Sequence, residues 1–192
     1  MRTTMYLQRH GESETNVAGL FTCRRLDPNL TSTGRRQIAG KVEFYQAAGV
    51  QRIVTSPARR AVQSAEILGS ALGIGVTTDD ALREVDVGAL EGQSDRDPEL
   101  RRVFDETLNA WLNGGANTRF PGGESKQEVE TRIGTVLSLS SPTTVLVGHC
   151  ALFAVLLGQN GMPFTRVEEL FLPRAGTAVY SADTKLWTIR TG

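Results

Sequence analysis

This chain has two histidines, and each stands where an apolar run stops. His10 follows Met5-Tyr-Leu-Gln-Arg9, and His149 follows Thr143-Thr-Val-Leu-Val-Gly148. Arginines lie beside such run ends: Arg9 precedes His10, and Arg59 and Arg60 come just after the run Val50–Thr55 and Ser56-Pro57. Glu84, Asp86 and Glu91 bring three carboxylates into one segment closed by Gly92. These residue types suit phosphoryl transfer. A neutral imidazole can take a phosphoryl group, planar guanidinium donors can hold its oxygens, and a carboxyl group can protonate the departing alkoxide. Two histidines and a carboxylate could also ligate zinc or iron, but the neighbouring arginines would repel a cation. A lone histidine is more often structural; the position of both at the ends of apolar runs favours a functional reading.

The elements that must position these groups can be read from periodicity. Strands are expected from Met5, over Val50–Thr55, near Ile74–Thr78 and over Thr143–Gly148, alternating with helices. That alternation favours a largely parallel sheet whose strand ends share one rim, where open α/β sheets place their sites. Residues 16–29 read as a loop over the site, carrying Thr22, Arg24 and Arg25. A helix starts after Leu30, with Thr31 or a neighbour as N-cap and Ile38, Val42 and Tyr45 on one face. Ser56 and Pro57 supply an N-cap and a first helical residue for a helix burying Ala61, Ala65, Leu68 and Leu72. Arg59 and Arg60 fall in its first turn, where cations are disfavoured. A bound anion would relieve this; two solvated arginines are the plainer alternative. The spacing predicts a helix over 97–111, with Leu100, Val103, Phe104, Leu108 and Trp111 on one face, and then a break over 114–123. Ser125 and Glu128 form a capping box for a helix facing inward with Val129, Ile133, Val136 and Leu137. A buried helix with Ala151, Leu152, Val155 and Leu156 follows His149, and Thr177–Ser181 with Lys185–Thr191 reads as an edge hairpin around Ala182-Asp183-Thr184.

Length and composition set the bounds. The 192 residues suit a single domain, and 21 basic against 21 acidic side chains give no general attraction to nucleic acid or an anionic membrane. The polar Gln8-Arg9-His10 interrupts the N-terminus before any long apolar core, and no run approaches membrane-spanning length, so a cytoplasmic protein is expected. Cys23 and Cys150 are far apart without metal-type spacing and read as free thiols.

Five segments, in order, resemble motifs of the histidine phosphatase superfamily, in its phosphoglycerate mutase-like branch. They are Arg9-His10-Gly11-Glu12-Ser13 with Asn16, Leu30-Thr31-Ser-Thr-Gly34-Arg-Arg-Gln37, Ser56-Pro57-Ala-Arg-Arg60-Ala61, Leu82-Arg83-Glu84-Val-Asp86-Val-Gly88 and Pro121-Gly-Gly-Glu124-Ser125, with His149 completing the set. The resemblance spans nearly the whole chain. It implies a three-layer α/β sandwich, a mostly parallel sheet with helices on both faces, in which residues 93–123 form an insertion that caps the substrate. It selects Arg60 over Arg59 and Glu84 over Asp86, between which the residues alone do not choose. His10 is then the nucleophile, and Arg9, Arg60 and His149 hold the phosphoryl group, with Asn16 and Thr22 as further contacts. Glu84 is the general acid. No metal or other cofactor is expected. Relatives usually carry glycine after the second histidine; here Cys150 stands there.

The activity so implied is hydrolysis of a small phosphomonoester, of sugar or cyclitol phosphate type, through a phosphohistidine. The alternatives are phosphoglycerate mutase-type transfer, disfavoured by the compact 93–123 region, and a regulatory module that binds phosphate without catalysis. Arg24, Arg25, Arg96, Arg101, Arg102 and Arg119 are candidates for a second anionic contact. The expected partner is the phosphate ester alone, with no nucleic acid or membrane, and room for a homodimer.

Overall fold

Strand β1, Thr4–Arg9, is buried along both faces between its ends, as a central strand of a doubly covered sheet must be. The computed structural model describes residues 4–115, 118–137, 142–181 and 186–190. In it β1 pairs in parallel with β4 (Thr144–Gly148), which pairs in parallel with β2 (Arg52–Thr55), itself parallel to β3 (Val76–Thr78). On its other side β1 meets β5 (Thr177–Ser181) antiparallel, and β5 meets β6 (Leu186–Arg190) the same way. The six-stranded order is β3-β2-β4-β1-β5-β6, four parallel strands with an antiparallel hairpin at one edge.

Alternation sends successive side chains to opposite faces, and two separate cores result. Met5, Leu7, Val54 and Leu146 pack beneath α5 (Pro98–Leu112), α6 (Lys126–Leu137) and α7 (Cys150–Gln159). Tyr6, Ile53, Val145 and Val147 pack against α2 (Ser32–Ala39), α3 (Val42–Ala47) and α4 (Arg59–Leu72). A short α1, Glu14–Ala18, lies beside the turn after β1. Helices thus cover both faces of the sheet, giving three layers. No helix among the described residues is long and apolar enough to cross a membrane.

The structure differs from the sequence expectation in several places. The single helix expected to carry Ile38, Val42 and Tyr45 is two. The chain tightens at Gly40 into a turn closed by Lys41 N–H to Ile38 O, 2.9 Å, and glycine is a poor helix former. The break lets Tyr45 run under the sheet, where its hydroxyl donates to the buried Gln8 Oε1 at 2.6 Å. Ser56 and Pro57 precede α4 rather than starting it; the N-cap is Ala58. The strand expected over 50–55 begins at Arg52. The Ser125–Glu128 capping box is present, Glu128 Oε2 accepting Ser125 N–H at 2.7 Å and Ser125 Oγ accepting Glu128 N–H at 3.4 Å. The hairpin turn 182–184, Lys185, Thr191 and the Leu137 side chain lie outside the described residues.

Thr31 does cap α2, its hydroxyl oxygen accepting Gly34 N–H at 3.0 Å and donating to Glu12 Oε1 at 2.8 Å. This docks the helix start onto the turn after β1, so closely that Gly11 and Gly34 meet backbone to backbone. A methyl group on Gly34 would overlap the Glu12 carbonyl oxygen and amide nitrogen. Alanine gains about 1 kcal/mol in helix propensity, but backbone cannot swing aside as a side chain can, and overpacking costs about 1–3 kcal/mol. Gly34→Ala should therefore lower the urea midpoint, and an unchanged or raised midpoint would refute the close docking.

Candidate active site

Adjacent strands β2, β4 and β1 are parallel, so their C-terminal ends share one rim, and Arg60, His149 and His10 follow those ends in turn. Backbone bonds fix His10: its N–H donates to Gly148 O at 3.0 Å, and its carbonyl accepts Ala175 N–H at 3.1 Å. Its ring is set as well. Nδ1 lies 2.7 Å from the Gly11 carbonyl oxygen, which can only accept, so Nδ1 carries the proton. The lone pair is therefore on Nε2, and Arg60 Nε donates to it at 3.3 Å. Burial, then the charges of Arg60 and Arg9, hold the imidazole well below its ordinary value, so it is neutral at pH 7.

His149 packs against His10 with ring centres 5.3 Å apart, and burial followed by the charge of Arg60 keeps it neutral too. Its Nε2 meets Ser56 Oγ at 2.8 Å, and that hydroxyl oxygen also accepts Ala58 N–H at 3.3 Å. Ser56, expected as a helix cap, instead orients this ring. Arg9 donates from Nη1 to Leu172 O at 2.7 Å, and Arg60 from Nη2 to Thr22 O at 3.3 Å. Among the described residues, Arg9 Nε, Arg60 Nη1 and His149 Nδ1 are buried with no hydrogen-bond partner.

Not every expected contact reaches the site. The start of α4 is occupied by the Asp27 carboxylate, which accepts Arg59 N–H at 2.7 Å and faces Arg59 Nε at 3.7 Å. The anion relieving that helix end is thus the protein's own, and Arg59 is exposed while Arg60 turns inward. Asn16 and Thr22 line the cavity beside His10. Asn16 Oδ1 accepts Ser13 N–H at 3.1 Å, and the Thr22 hydroxyl donates to Leu20 O at 3.3 Å. Cys150 opens α7 on the cavity wall, its thiol kept protonated by burial; both cysteines are free.

Glu84 and Asp86 face apart. Glu84 lines the cavity, Oε1 accepting Val85 and Leu152 N–H at 2.9 Å and Oε2 accepting Ala151 N–H at 3.2 Å. Asp86 turns to Gly88 N–H, 2.9 Å. Two carboxylates to which the sequence assigned no role set this geometry. Glu124 accepts Asp86 N–H at 2.8 Å and both Arg132 Nε and Nη2, at 2.9 and 3.0 Å, while Arg132 donates to the carbonyls of Ala81, Arg83 and Glu84. Glu91 Oε1 accepts four consecutive N–H groups, those of Cys23, Arg24, Arg25 and Leu26, at 2.7–3.1 Å. Nothing local in the sequence marks Glu91; its four donors lie more than sixty positions away.

The cavity holds about 270 Å³. Arg9, His10, Arg60 and Glu84 form its charged end, and Phe104, Phe171, Leu20 and Val87 form much of the remaining wall. Of the six arginines considered for a second anionic contact, Arg101 alone lines it. Arg24 pairs with Glu124, Arg25 with Glu91, Arg102 with Glu99 and Glu106, and Arg119 with Glu128, while Arg96 donates to Val17 O.

Against known proteins, the model of the histidine phosphatase superfamily (branch 1) matches residues 5–191. A probable phosphoglycerate mutase (GpmB) of Proteus mirabilis is 36% identical over 173 residues, covering 83% of this chain and 75% of its own. A probable phosphoglycerate mutase of Salmonella paratyphi B is 35% identical over 135 residues, and the match spans only 61% of its length. Among solved structures, a mycobacterial glucosyl-3-phosphoglycerate phosphatase aligns with TM-score 0.76 and 27% identity over 98% of both chains. A putative alpha-ribazole-5'-P phosphatase of Escherichia coli has TM-score 0.73 at 22% identity, covering 100% of this chain and 96% of its own, a likeness of fold alone.

The Glu91 anchor can be tested without substrate. Burial alone would raise its carboxyl, but the N–H bonds from Leu26, Cys23 and Arg25 outweigh burial and hold it at about 2. A folded value below the unfolded one, about 4.3, means the stabilisation is complete above the unfolded value and is lost as pH falls through the folded one. Glu91→Gln should cost on the order of 3 kcal/mol near neutral pH, and its gap from wild type in urea midpoints should narrow below about pH 4. A gap independent of pH would show that charge is not what holds the loop.

Proposed function

The chain belongs to the histidine phosphatase superfamily, and we propose that within it this protein hydrolyses a small phosphomonoester through a phosphohistidine on His10. One observation carries the reading: among the described residues, two buried guanidinium N–H donors without acceptors, Arg9 Nε and Arg60 Nη1, and the buried, unpartnered His149 Nδ1 belong to the side chains around the unprotonated His10 Nε2. Buried donors are costly when unpaired, and phosphoryl oxygens are the acceptors that fit two guanidinium groups. In the first step Nε2 attacks phosphorus, the P–O ester bond breaks, and the alkoxide takes a proton from Glu84. Oε2, which has the single, longer N–H bond, is the oxygen freer to deliver it. In the second step water gives a proton to Glu84 and attacks phosphorus, the P–N bond breaks, and inorganic phosphate leaves. Residues 93–123, through Asp95, Arg101 and Phe104 on the cavity wall, act as the cap that selects the alcohol.

The names of the curated relatives favour a second reading, transfer between positions of phosphoglycerate. Product analysis separates the two. Free phosphate should dominate, and transfer with little release would favour the mutase.

Rapid quenching with a good substrate should trap an acid-labile, base-stable phosphoryl group that His10→Ala abolishes. Persistence of the label in His10→Ala, with loss in His149→Ala, would exchange the two roles. For the acid, Glu84→Gln should cost roughly 10²- to 10⁴-fold on an alkyl phosphate and much less on a nitrophenyl ester, whose alcohol departs without a proton. The same selectivity from Asp86→Asn, with Glu84→Gln near wild type, would reassign the acid.

A further inference from the structure

We infer that the alcohol carried by the substrate has an uncharged, apolar body about one ring in size, rather than the polyol of a sugar or cyclitol phosphate or the carboxylate of phosphoglycerate. The inference rests on the phosphatase reading above. It comes from the half of the cavity that the phosphoryl chemistry does not use.

That half is aromatic. Phe104, one helical turn beyond Arg101 on α5, is the hub, with ring centres 5.2 Å from Phe21 and 6.2 Å from Phe171, and all three rings line the cavity. Leu20, Val87 and Leu172 continue the surface. A polyol would bring several hydroxyls against these side chains, each losing water without gaining a partner. Several polar atoms nearby are already engaged, the Thr22 hydroxyl by Leu20 O, Asn16 Oδ1 by Ser13 N–H and Arg101 Nε by Asp105 at 2.8 Å, which leaves the Asn16 amide N–H groups, the other Arg101 N–H groups and Asp95 to serve all the hydroxyls of a polyol. Apolar surface loses nothing there, and a planar ring can stack beside the phenyl groups.

Charge argues the same way. Arg101 is the one cation on this wall among the described residues, its guanidinium lying 5.4 and 5.7 Å from the Phe104 and Phe171 ring centres. Asp105 pairs with it, and Asp95 lines the same cavity. One cation against two carboxylates offers no net attraction to a carboxylate or a second phosphate, which a bisphosphorylated mutase intermediate would place there. The volume, about 270 Å³, sits below the usual span of roughly 300–1,000 Å³ for ligand sites. A volume of that order suits a phosphate with a body of about one ring held inside, any larger group projecting from the open mouth.

The test compares benzyl phosphate with glucose 6-phosphate and 3-phosphoglycerate. All three are esters of primary alcohols, so preference among them reports the body more than the leaving group. Wild-type kcat/KM should be at least tenfold higher for benzyl phosphate than for either of the others. Phe104→Ala should remove most of that advantage through KM, with competitive inhibition by inorganic phosphate unchanged. Because Phe104 also packs in the core, Phe171→Ala serves as the second variant and should lose several-fold on benzyl phosphate alone. Equal or better turnover of glucose 6-phosphate or 3-phosphoglycerate, or benzyl phosphate hydrolysis indifferent to Phe171→Ala, overturns the inference and leaves the phosphatase standing. Failure of all three esters, together with no inhibition by phosphate, overturns the phosphatase reading and the inference with it.

Discussion

An arginine buried without a carboxylate in contact is the constraint around which this site is built. Arg60 is 2% exposed, and among the described residues its guanidinium meets one carbonyl oxygen, one imidazole nitrogen and nothing at Nη1. Burial pulls its proton affinity down, and the more distant charges of Glu84 and Asp27 oppose that. Such a cation is expensive to desolvate, and an isolated one is tolerated only where other contacts force it. Here the force comes from α4, whose next residue, Ala61, and the following Ala65 and Leu68 are fully buried against the sheet. The Ser64 hydroxyl then ties the helix to the active-site turn, donating to Arg60 O at 2.7 Å and accepting Gly11 N–H at 3.2 Å. On the proposed reading, a bound phosphoryl group offsets that cost.

Acidic residues do the complementary work, mostly at a distance from the ligand. Asp27 holds the start of α4, Glu91 gathers the loop that brings Thr22 to the cavity, and Glu124 with Arg132 braces the segment carrying Glu84. In each case a carboxylate accepts backbone N–H groups, of a helix start for Asp27 and of irregular chain for Glu91 and Glu124, that no strand or helix would satisfy. Loops around an anion site need such internal anions, yet anions placed too near would repel the ligand. None of the three lines the cavity, which reconciles the two demands.

The strand ends were legible in the sequence because continuous apolar, β-branched runs are local signals, and the topology follows once β4 is inserted between β1 and β2. That brings Arg9, His10, Arg60 and His149 together, as the strand-end reading anticipated. What was not legible depends on contacts between distant segments. Glu91 looked like one of three equivalent carboxylates, because only tertiary folding sets Cys23–Leu26 above it. Arg101 was one of six arginines until five were seen to have partners elsewhere. Ser56 looked like a helix cap because serine before proline usually is one; its partner, His149, lies ninety-three positions along the chain.

In the proposed function, anion binding and the choice of alcohol fall to different parts of the fold, and this division has a physical basis. The donors around His10 hang from the ends of buried parallel strands, where a shift of any one residue would disturb both cores. The apolar wall comes from α5, the 20–21 loop and the 171–172 segment, which pack over the sheet without being hydrogen-bonded into it. Side chains there can change size or charge while the phosphoryl end keeps its geometry. Chains sharing this fold can therefore differ in the alcohol they accept, as the different substrates in the names of its structural neighbours illustrate. If this chain hydrolyses a phosphomonoester as proposed, the residues to vary for specificity are accordingly Phe104, Phe171 and Arg101 on the cavity wall, rather than the two histidines.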